Sequence, residues 1–177
     1  MSAKKTTERK FLPVNIAVLT VSDTRTLEDD KSGDMLADRI AGAGHVLIDR
    51  AIVPDDVKKI TAKLRAWIRK KDVDVVLATG GTGVTGRDVT PEAFEAVYEK
   101  AIPGFGELFR ILSYEKIGTS TIQSRATGGV AGGTYLFALP GSPSACRDAW
   151  DDILVHQLDY RFKPCNFVEL MPRLQEV

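Results

Sequence analysis

The chain is poor in several residues on which common chemistries depend. It has two cysteines, Cys146 and Cys165, and two histidines, His45 and His156, in 177 residues. Two well-separated thiols without clustered histidines make neither a disulfide framework nor a zinc site, so one buried thiol and one free thiol are expected. Neither histidine has a partner at ligand or catalytic spacing, and neither reads as a general base. Ser22, Ser142 and Ser144 have no recognisable His/Asp arrangement around them, which argues against a serine hydrolase. Charge of one sign is also missing: Lys plus Arg and Asp plus Glu number 24 each. A neutral total supplies no global field to hold nucleic acid or an anionic membrane, so any anion must be bound locally. No apolar run approaches the ~18 residues that a membrane span requires. Residues 1–10 are basic and polar with no apolar run behind them, unlike a secretory signal. The expectation is a cytoplasmic chain with a frayed tail over residues 1–12 and one α/β domain over residues 13–177. Internal repeats and low-complexity segments are lacking too.

What is present is ordinary globular material, 44% hydrophobic and 27% charged. A chain of this length buries roughly 70% of its unfolded surface and needs no staples. Residues 16–21 form a short, β-branched, non-alternating run that fits a strand buried on both faces. Ser32 is the expected cap of a helix carrying Met35, Leu36 and Ile40, ended by Gly42 and Gly44. Residues 45–53 read as a second strand. Val57, Ile60, Leu64, Trp67 and Ile68 then mark a helix whose end carries Lys70 and Lys71. Residues 73–78 are a third strand. Thr90 and Pro91 should open a helix running to about Ala101, and residues 106–118 another, with Leu108, Ile111 and Leu112 inward. Residues 119–133 look irregular or weakly extended. Residues 134–139 are a strand, Ser144 can cap a last long helix, and the tail from Arg161 should be mostly extended.

Alternation of strands with helices predicts a three-layer α/β fold, a mostly parallel sheet with helices on both faces. In such sheets ligands bind beyond the carboxyl ends of the strands. Four loops meet that description: residues 22–31, 54–56, 79–88 and 140–144.

The loop at residues 79–88 carries the strongest signal, with four glycines in seven residues from Gly80 to Gly86. Glycine lets backbone N–H groups approach a ligand, and a run of them nests phosphate oxygens. The loop lacks the Gly-Lys-Ser/Thr of a P-loop. Gly81, Gly83 and Gly86 match a dinucleotide fingerprint formally. Its position after the third strand, its delayed helix and the lack of a strand-end acid downstream all argue against a nicotinamide site.

Asp55 and Asp88 fall in loops at the same sheet edge. Mg²⁺ is commonly held by one or two carboxylates plus substrate phosphates, and these two acids are candidates; the alternatives are a helix-start acid and a turn residue. Arg87, Arg110 and Arg125 are candidate phosphate partners, Arg110 being better read as a surface charge. The acidic run at residues 28–30 reads as a solvated loop near a helix start. The absence of a nucleophile suits a reaction in which one substrate's phosphate attacks another, since that needs positioning and charge neutralisation only.

Five ordered motifs carry a family resemblance: Thr79-Gly-Gly-Thr-Gly83, Arg87-Asp-Val-Thr-Pro-Glu92, Pro103-Gly-Phe-Gly-Glu107, Ser124-Arg125 and Leu139-Pro-Gly141. Together they resemble the MoaB/MogA family of molybdenum-cofactor biosynthesis proteins. The segments Gly118-Thr-Ser-Thr-Ile-Gln-Ser-Arg125 and Pro164-Cys-Asn-Phe167 are similar to the MoaB branch. The resemblance implies a homotrimer or homohexamer that adenylylates molybdopterin: the pterin's phosphate attacks the α-phosphate of MgATP and pyrophosphate leaves. It places the two family acids on Asp55 and Asp88, as catalytic residues and Mg²⁺ ligands. It also implies substrate binding by Thr79, Gly80, Gly81, Thr82, Gly83 and Arg87, and by Ser22, Asp23, Ser124, Arg125, Pro140, Gly141 and Ser142. A non-catalytic molybdopterin-binding protein of the same pathway is the alternative, because some members of that branch depart from the pattern around the second acid. This chain keeps both acids.

Overall fold

The computed structural model describes residues 9–177. Six strands form one sheet in the order β2-β1-β3-β6-β5-β4. They are β1 (Asn15–Val21), β2 (Val46–Val53), β3 (Val75–Thr79), β4 (Lys100–Ala101), β5 (Thr127–Ala131) and β6 (Thr134–Leu139). The first three strands and β6 run parallel, while at one edge β5 runs the opposite way and pairs antiparallel with both β6 and β4.

Both faces of the central strands are buried, and strand alternation sorts their side chains into two cores. Ile16 and Val18, Val75 and Leu77, and Tyr135, Phe137 and Leu139 face one way. There they meet α1 (Lys31–Gly42), α4 (Pro103–Ile117) and α5 (Pro143–Ala149), through Leu36, Ile40, Phe105, Phe109 and Cys146. Ala17, Leu19 and Val21, Val76 and Ala78, and Leu136 and Ala138 face the other way. They meet α2 (Val57–Arg69) and α3 (Thr90–Glu95), through Ile60, Leu64, Trp67 and Phe94. The expected three layers are therefore present. A π-helical turn (Trp150–Leu154) extends α5 into α6 (Val155–Gln157), and α7 (Phe167–Leu170) lies in the C-terminal segment that was expected to be extended.

Several boundaries differ from the sequence pattern, each for a packing reason. The cap of α1 is Asp30, which accepts from the Gly33 N–H at 3.0 Å, rather than Ser32. Asp30 is no solvated loop residue: it is fully buried, accepting from the Thr20 hydroxyl at 2.6 Å and from the Arg50 guanidinium at 2.8 Å. Burial works to raise its carboxyl, but these donors outweigh burial and hold it below the ordinary value. Its partners come from β1 and β2 and are invisible locally. α3 ends at Glu95 because Tyr98 turns its ring onto Gly129, where a Cβ would come within 2.4 Å, and Lys100–Ala101 pairs with β5. α4 begins at Pro103, a turn earlier than expected, and its buried stripe is Phe105, Phe109 and Ser113. Leu108 and Ile111, expected inward, are exposed. Ser142, not Ser144, caps α5, accepting from the Ala145 N–H at 3.2 Å.

Cys146 is buried and Cys165 exposed, as the composition suggested. The tail expected over residues 1–12 falls partly on residues 1–8, outside the described residues. Arg9 is anchored, donating to Glu169 at 2.9 and 3.0 Å, and Phe11 packs against His45. Among the described residues no helix is long and apolar enough to cross a membrane.

His45 ties this N-terminal segment to the core. It is buried beside Trp150, and its Nδ1 accepts from the Val14 N–H at 3.2 Å, which requires the neutral ring. Burial pushes it below its ordinary 6.5, with Asp159 opposing. Because the folded value is depressed, the neutral ring's contribution is complete above pH 6.5 and is lost as pH falls below it. The denaturation midpoint should therefore drop as pH falls from about 7 to about 5. His45→Gln keeps an acceptor but does not titrate, so its urea midpoint should vary less over that window.

Candidate functional site

The carboxyl ends of β1, β2, β3 and β6 deliver residues 22, 54, 80 and 140 to one edge of the sheet. The order in which strands are added reverses between the parallel β1 and β3, and this switch point opens a crevice there. Gly80 fills its floor. It has φ +99°, and a Cβ would lie 2.2 Å from the Val21 carbonyl oxygen, so only glycine fits. Its N–H donates to Leu139 O at 3.1 Å and its carbonyl accepts from the Thr90 hydroxyl at 2.8 Å. Gly81, at φ +65°, follows and accepts from the Thr90 N–H at 2.9 Å. Thr90 thus staples the loop to the start of α3.

Arg125 shapes the rest of the loop. Its Nε donates to Gly83 O and its Nη2 to Asp88 O, both at 2.7 Å, and it pairs with Glu92. The Arg125 N–H donates to Thr82 O at 3.0 Å. With its guanidinium committed to backbone carbonyls, Arg125 acts as a loop brace. Arg110, read as a surface charge, donates instead to Ala126 O at 3.3 Å.

The two acids flank this loop. A Cβ on Gly81 would come within 2.7 Å of Asp55 Oδ1, and one on Gly83 within 2.8 Å of Asp88 Oδ2. Asp88 Oδ2 accepts from the Thr85 N–H at 2.9 Å and the Thr85 hydroxyl at 2.6 Å. Burial works to raise Asp88, and these donors bring it below the ordinary carboxylate value. Asp55 has the opposite balance. Burial raises it, Asp23 and Asp88 add negative charge, and Arg87 compensates only in part. Arg87 is turned to Asp23, donating through Nε at 3.0 Å and Nη2 at 2.6 Å. Asp23 also accepts from the Asp55 N–H at 3.1 Å, so residues 22–23 and 54–55 are tied together.

Beside the loop lies a cavity of about 450 Å³, within the range of small-ligand sites. One side consists of Gly81, Thr82, Gly83, Asp88, Ser124, Pro140, Gly141 and Ser142, all anticipated. Thr79 is buried beneath, its hydroxyl donating to Pro140 O at 3.0 Å and accepting from the Cys146 thiol at 3.1 Å. Ser22 and Asp23 line a neighbouring hollow with Arg25 and Pro54, and Ser22 Oγ accepts from the N–H groups of Thr24 and Arg25. The other side of the cavity was not anticipated. α4, the 3-10 turn Gly118–Gln123 and α5 supply Phe109, Ser113, Lys116, Ile117, Ser120, Gln123, Ser144, Ala145 and Asp148. The available signal was Ser113, a polar residue one helical repeat beyond Phe105 and Phe109.

No cluster of three or more His, Cys, Asp or Glu side chains with metal-holding geometry occurs among the described residues. The donor set instead fits an ion held by two carboxylates and completed by substrate oxygens. Asp55 carries charge that the protein leaves incompletely neutralised, and hard oxygen donors such as Asp55 and Asp88 would suit Mg²⁺.

Two outcomes follow. Gly80→Ala should lower unfolding stability by about 2 kcal/mol or more, because it combines positive φ with a backbone clash; urea denaturation measures it. Asp55→Asn should raise the melting temperature of the ligand-free protein at neutral pH. A carboxyl whose folded value is raised opposes folding once ionised, and this penalty vanishes below the ordinary value of 3.8. The gain should therefore be present at pH 7 and gone in acid.

Residues 17–160 match the family described as "probable molybdopterin binding domain". The chain is 53% identical over 158 residues to molybdenum cofactor biosynthesis protein B of Escherichia coli K12, covering 89% of this chain and 93% of that protein. It is 47% identical to the Bacillus cereus protein of the same name, over 83% of this chain and 88% of that one. A crystal structure of a molybdenum cofactor biosynthesis protein B superposes with TM-score 0.86 at 41% identity, covering 96% of this chain and all of that one. The tungsten cofactor synthesizing protein MoaB of Pyrococcus furiosus superposes with TM-score 0.72 at 36% identity, covering 80% and 91%. Matched to this extent in both sequence and fold, the chain belongs to the MoaB/MogA family of molybdenum cofactor biosynthesis proteins.

Proposed function

We propose that the protein acts in molybdenum cofactor biosynthesis as a molybdopterin adenylyltransferase, using MgATP in the cytoplasm and working as a homotrimer or homohexamer. The observation that carries the reading is a glycine loop at the carboxyl ends of the parallel strands with two carboxylates on its flanks. A nucleophilic side chain is not needed, because the phosphate of one substrate attacks the other.

In this reaction an oxygen of the pterin's terminal phosphate forms a bond to the α-phosphorus of ATP. The bond from that phosphorus to the bridging oxygen breaks, and pyrophosphate leaves with its electron pair. The N–H groups of Gly81 and Thr82 would hold phosphate oxygens through fixed dipoles, which require no reorganisation. Asp55 and Asp88 would hold Mg²⁺, which supplies charge neutralisation at the phosphates. Arg125 keeps residues 82–88 in place through the carbonyls it braces. Cys146 and Thr79, buried under the loop, exclude water from below.

A second reading, a molybdopterin-binding protein without turnover, is favoured by one observation. Asp88 is already engaged by Thr85, as a purely structural turn residue would be. Purified protein with molybdopterin, ATP and Mg²⁺ should yield adenylyl-molybdopterin. Asp88→Asn retains an oxygen for Thr85 and should cut the rate on the order of 10²-fold or more while molybdopterin still binds. Tight binding with no product from the wild type would sink the transferase and leave the binding protein.

A further inference from the structure

The unanticipated side of the cavity differs in chemistry from the phosphate loop. Phe109, Ile117 and Ala145 give it apolar walls. At its margin Lys116 and Asp148 face the same space, Lys116 from α4 and Asp148 from α5. Lys116 Nζ bridges two acids, 2.9 Å from Asp148 Oδ1 and 2.8 Å from Asp152 Oδ2. Asp148 is the less exposed of the two, with 24% of its side chain accessible against 37% for Asp152, and Asp148 alone of them lines the cavity. Lys116 engages Oδ1 from the α4 side, and because each carboxylate oxygen accepts more than one hydrogen bond, both oxygens of Asp148 can serve a ligand. One cation between two carboxylates leaves this corner with a net negative charge, opposite in kind to the phosphate cradle.

A fixed carboxylate at the end of an apolar slot has a specific use. It accepts two hydrogen bonds from a planar ring edge that presents an amino group beside a ring N–H, and it repels an edge presenting ring acceptors. The 2-amino-4-oxo pyrimidine edge of a pterin is such a donor pair. Adenine is not, since a ring nitrogen acceptor lies beside its amino group. Resting on the reading of the site as a molybdopterin pocket, we infer that Asp148, positioned by Lys116, is a specificity-determining residue that reads the 2-amino/N3–H edge of the pterin ring. The pterin then lies between Phe109, Ile117 and Ala145, and its phosphate points to the glycine loop. The adenine of ATP is directed away from this corner.

The test uses the full chain and two simple ligands, 6-hydroxymethylpterin and its 2-oxo counterpart 6-hydroxymethyllumazine, with binding read by calorimetry. Wild type should prefer the pterin by roughly 10- to 100-fold, the size expected of a charge-assisted hydrogen bond. Asp148→Asn presents an amide in place of the carboxylate and should bring the ratio near one. Its melting temperature serves as the folding control, and the wild-type ratio stands whether or not the variant folds. Equal binding of both ligands by the wild type, or a preference that survives in a folded Asp148→Asn, overturns the assignment of Asp148 and leaves the molybdopterin reading intact. Binding of neither ligand by the wild type overturns both together. The adenylyl-transfer assay, which does not depend on this pair of ligands, separates failure of the transferase chemistry.

Discussion

Gly80 sits where three strands and a helix must meet without a side chain between them. Its α-carbon lies against the Val21 carbonyl at the end of β1, its N–H is bonded to the end of β6, and its own carbonyl is bonded to the first residue of α3. Gly141, opening the next loop, would place a Cβ 3.2 Å from the same α-carbon. Were the crevice any wider, the loop N–H groups and the two acids would no longer share one space. A parallel sheet supplies the crevice, but a substituted α-carbon would prop it open. The site's dimensions therefore follow from one steric constraint at one residue, and the bracing by Thr90 and Arg125 acts on geometry that Gly80 has already set.

Charge is distributed around that point unevenly, although the chain as a whole is neutral. Arg87 and Arg125 stand close enough to serve a phosphate, yet one is paired with Asp23 and the other with loop carbonyls and Glu92. The arginines hold protein to protein, so in the proposed function anion binding would fall to backbone N–H groups. This division has a physical advantage. Backbone dipoles cost no side-chain entropy when a ligand arrives, whereas freeing a guanidinium means breaking an existing ion pair. The same division leaves Asp55 under-compensated, which suits a residue whose partner is a cation delivered with the substrate.

Much of this was legible in the sequence because it depends on local chemistry. Apolar strand runs, the Thr90-Pro91 helix start and the glycine spacing each state their structure within a few residues. So does the placement of Asp55 and Asp88, since acids just beyond parallel strands share one edge by topology. The failures have the reverse character. Asp30 looked like a solvated acid because Thr20 and Arg50, which make its burial possible, lie on two other elements. The inward face of α4 was misread because Leu108 and Ile111 are as apolar as residues that are buried, and only the earlier start at Pro103 brings Phe105 into the stripe. The α4–α5 side of the cavity was missed for the same reason. Lys116 and Asp148 are ordinary helix-surface charges until two helices set them face to face.

Several departures from local rules lie at one edge of the sheet. Positive φ at Gly80 and Gly81, a carboxylate raised by burial and by neighbouring acids, and a lysine shared by two acids all lie around the crevice or the cavity beside it. In the two hydrophobic cores beneath, the central strands alternate their side chains regularly between the faces. Strain and unmet charge persist only where surrounding structure over-determines them. Here the over-determination is visible: β1, β3 and β6 fix the loop's entrance, α3 and Arg125 fix its exit, and Asp23 ties the loop bearing Asp55 to the same frame. A rigid doubly covered sheet is thus what allows a few residues at its edge to remain unsatisfied, and the proposed ligand, carrying both phosphate and cation, would complete them.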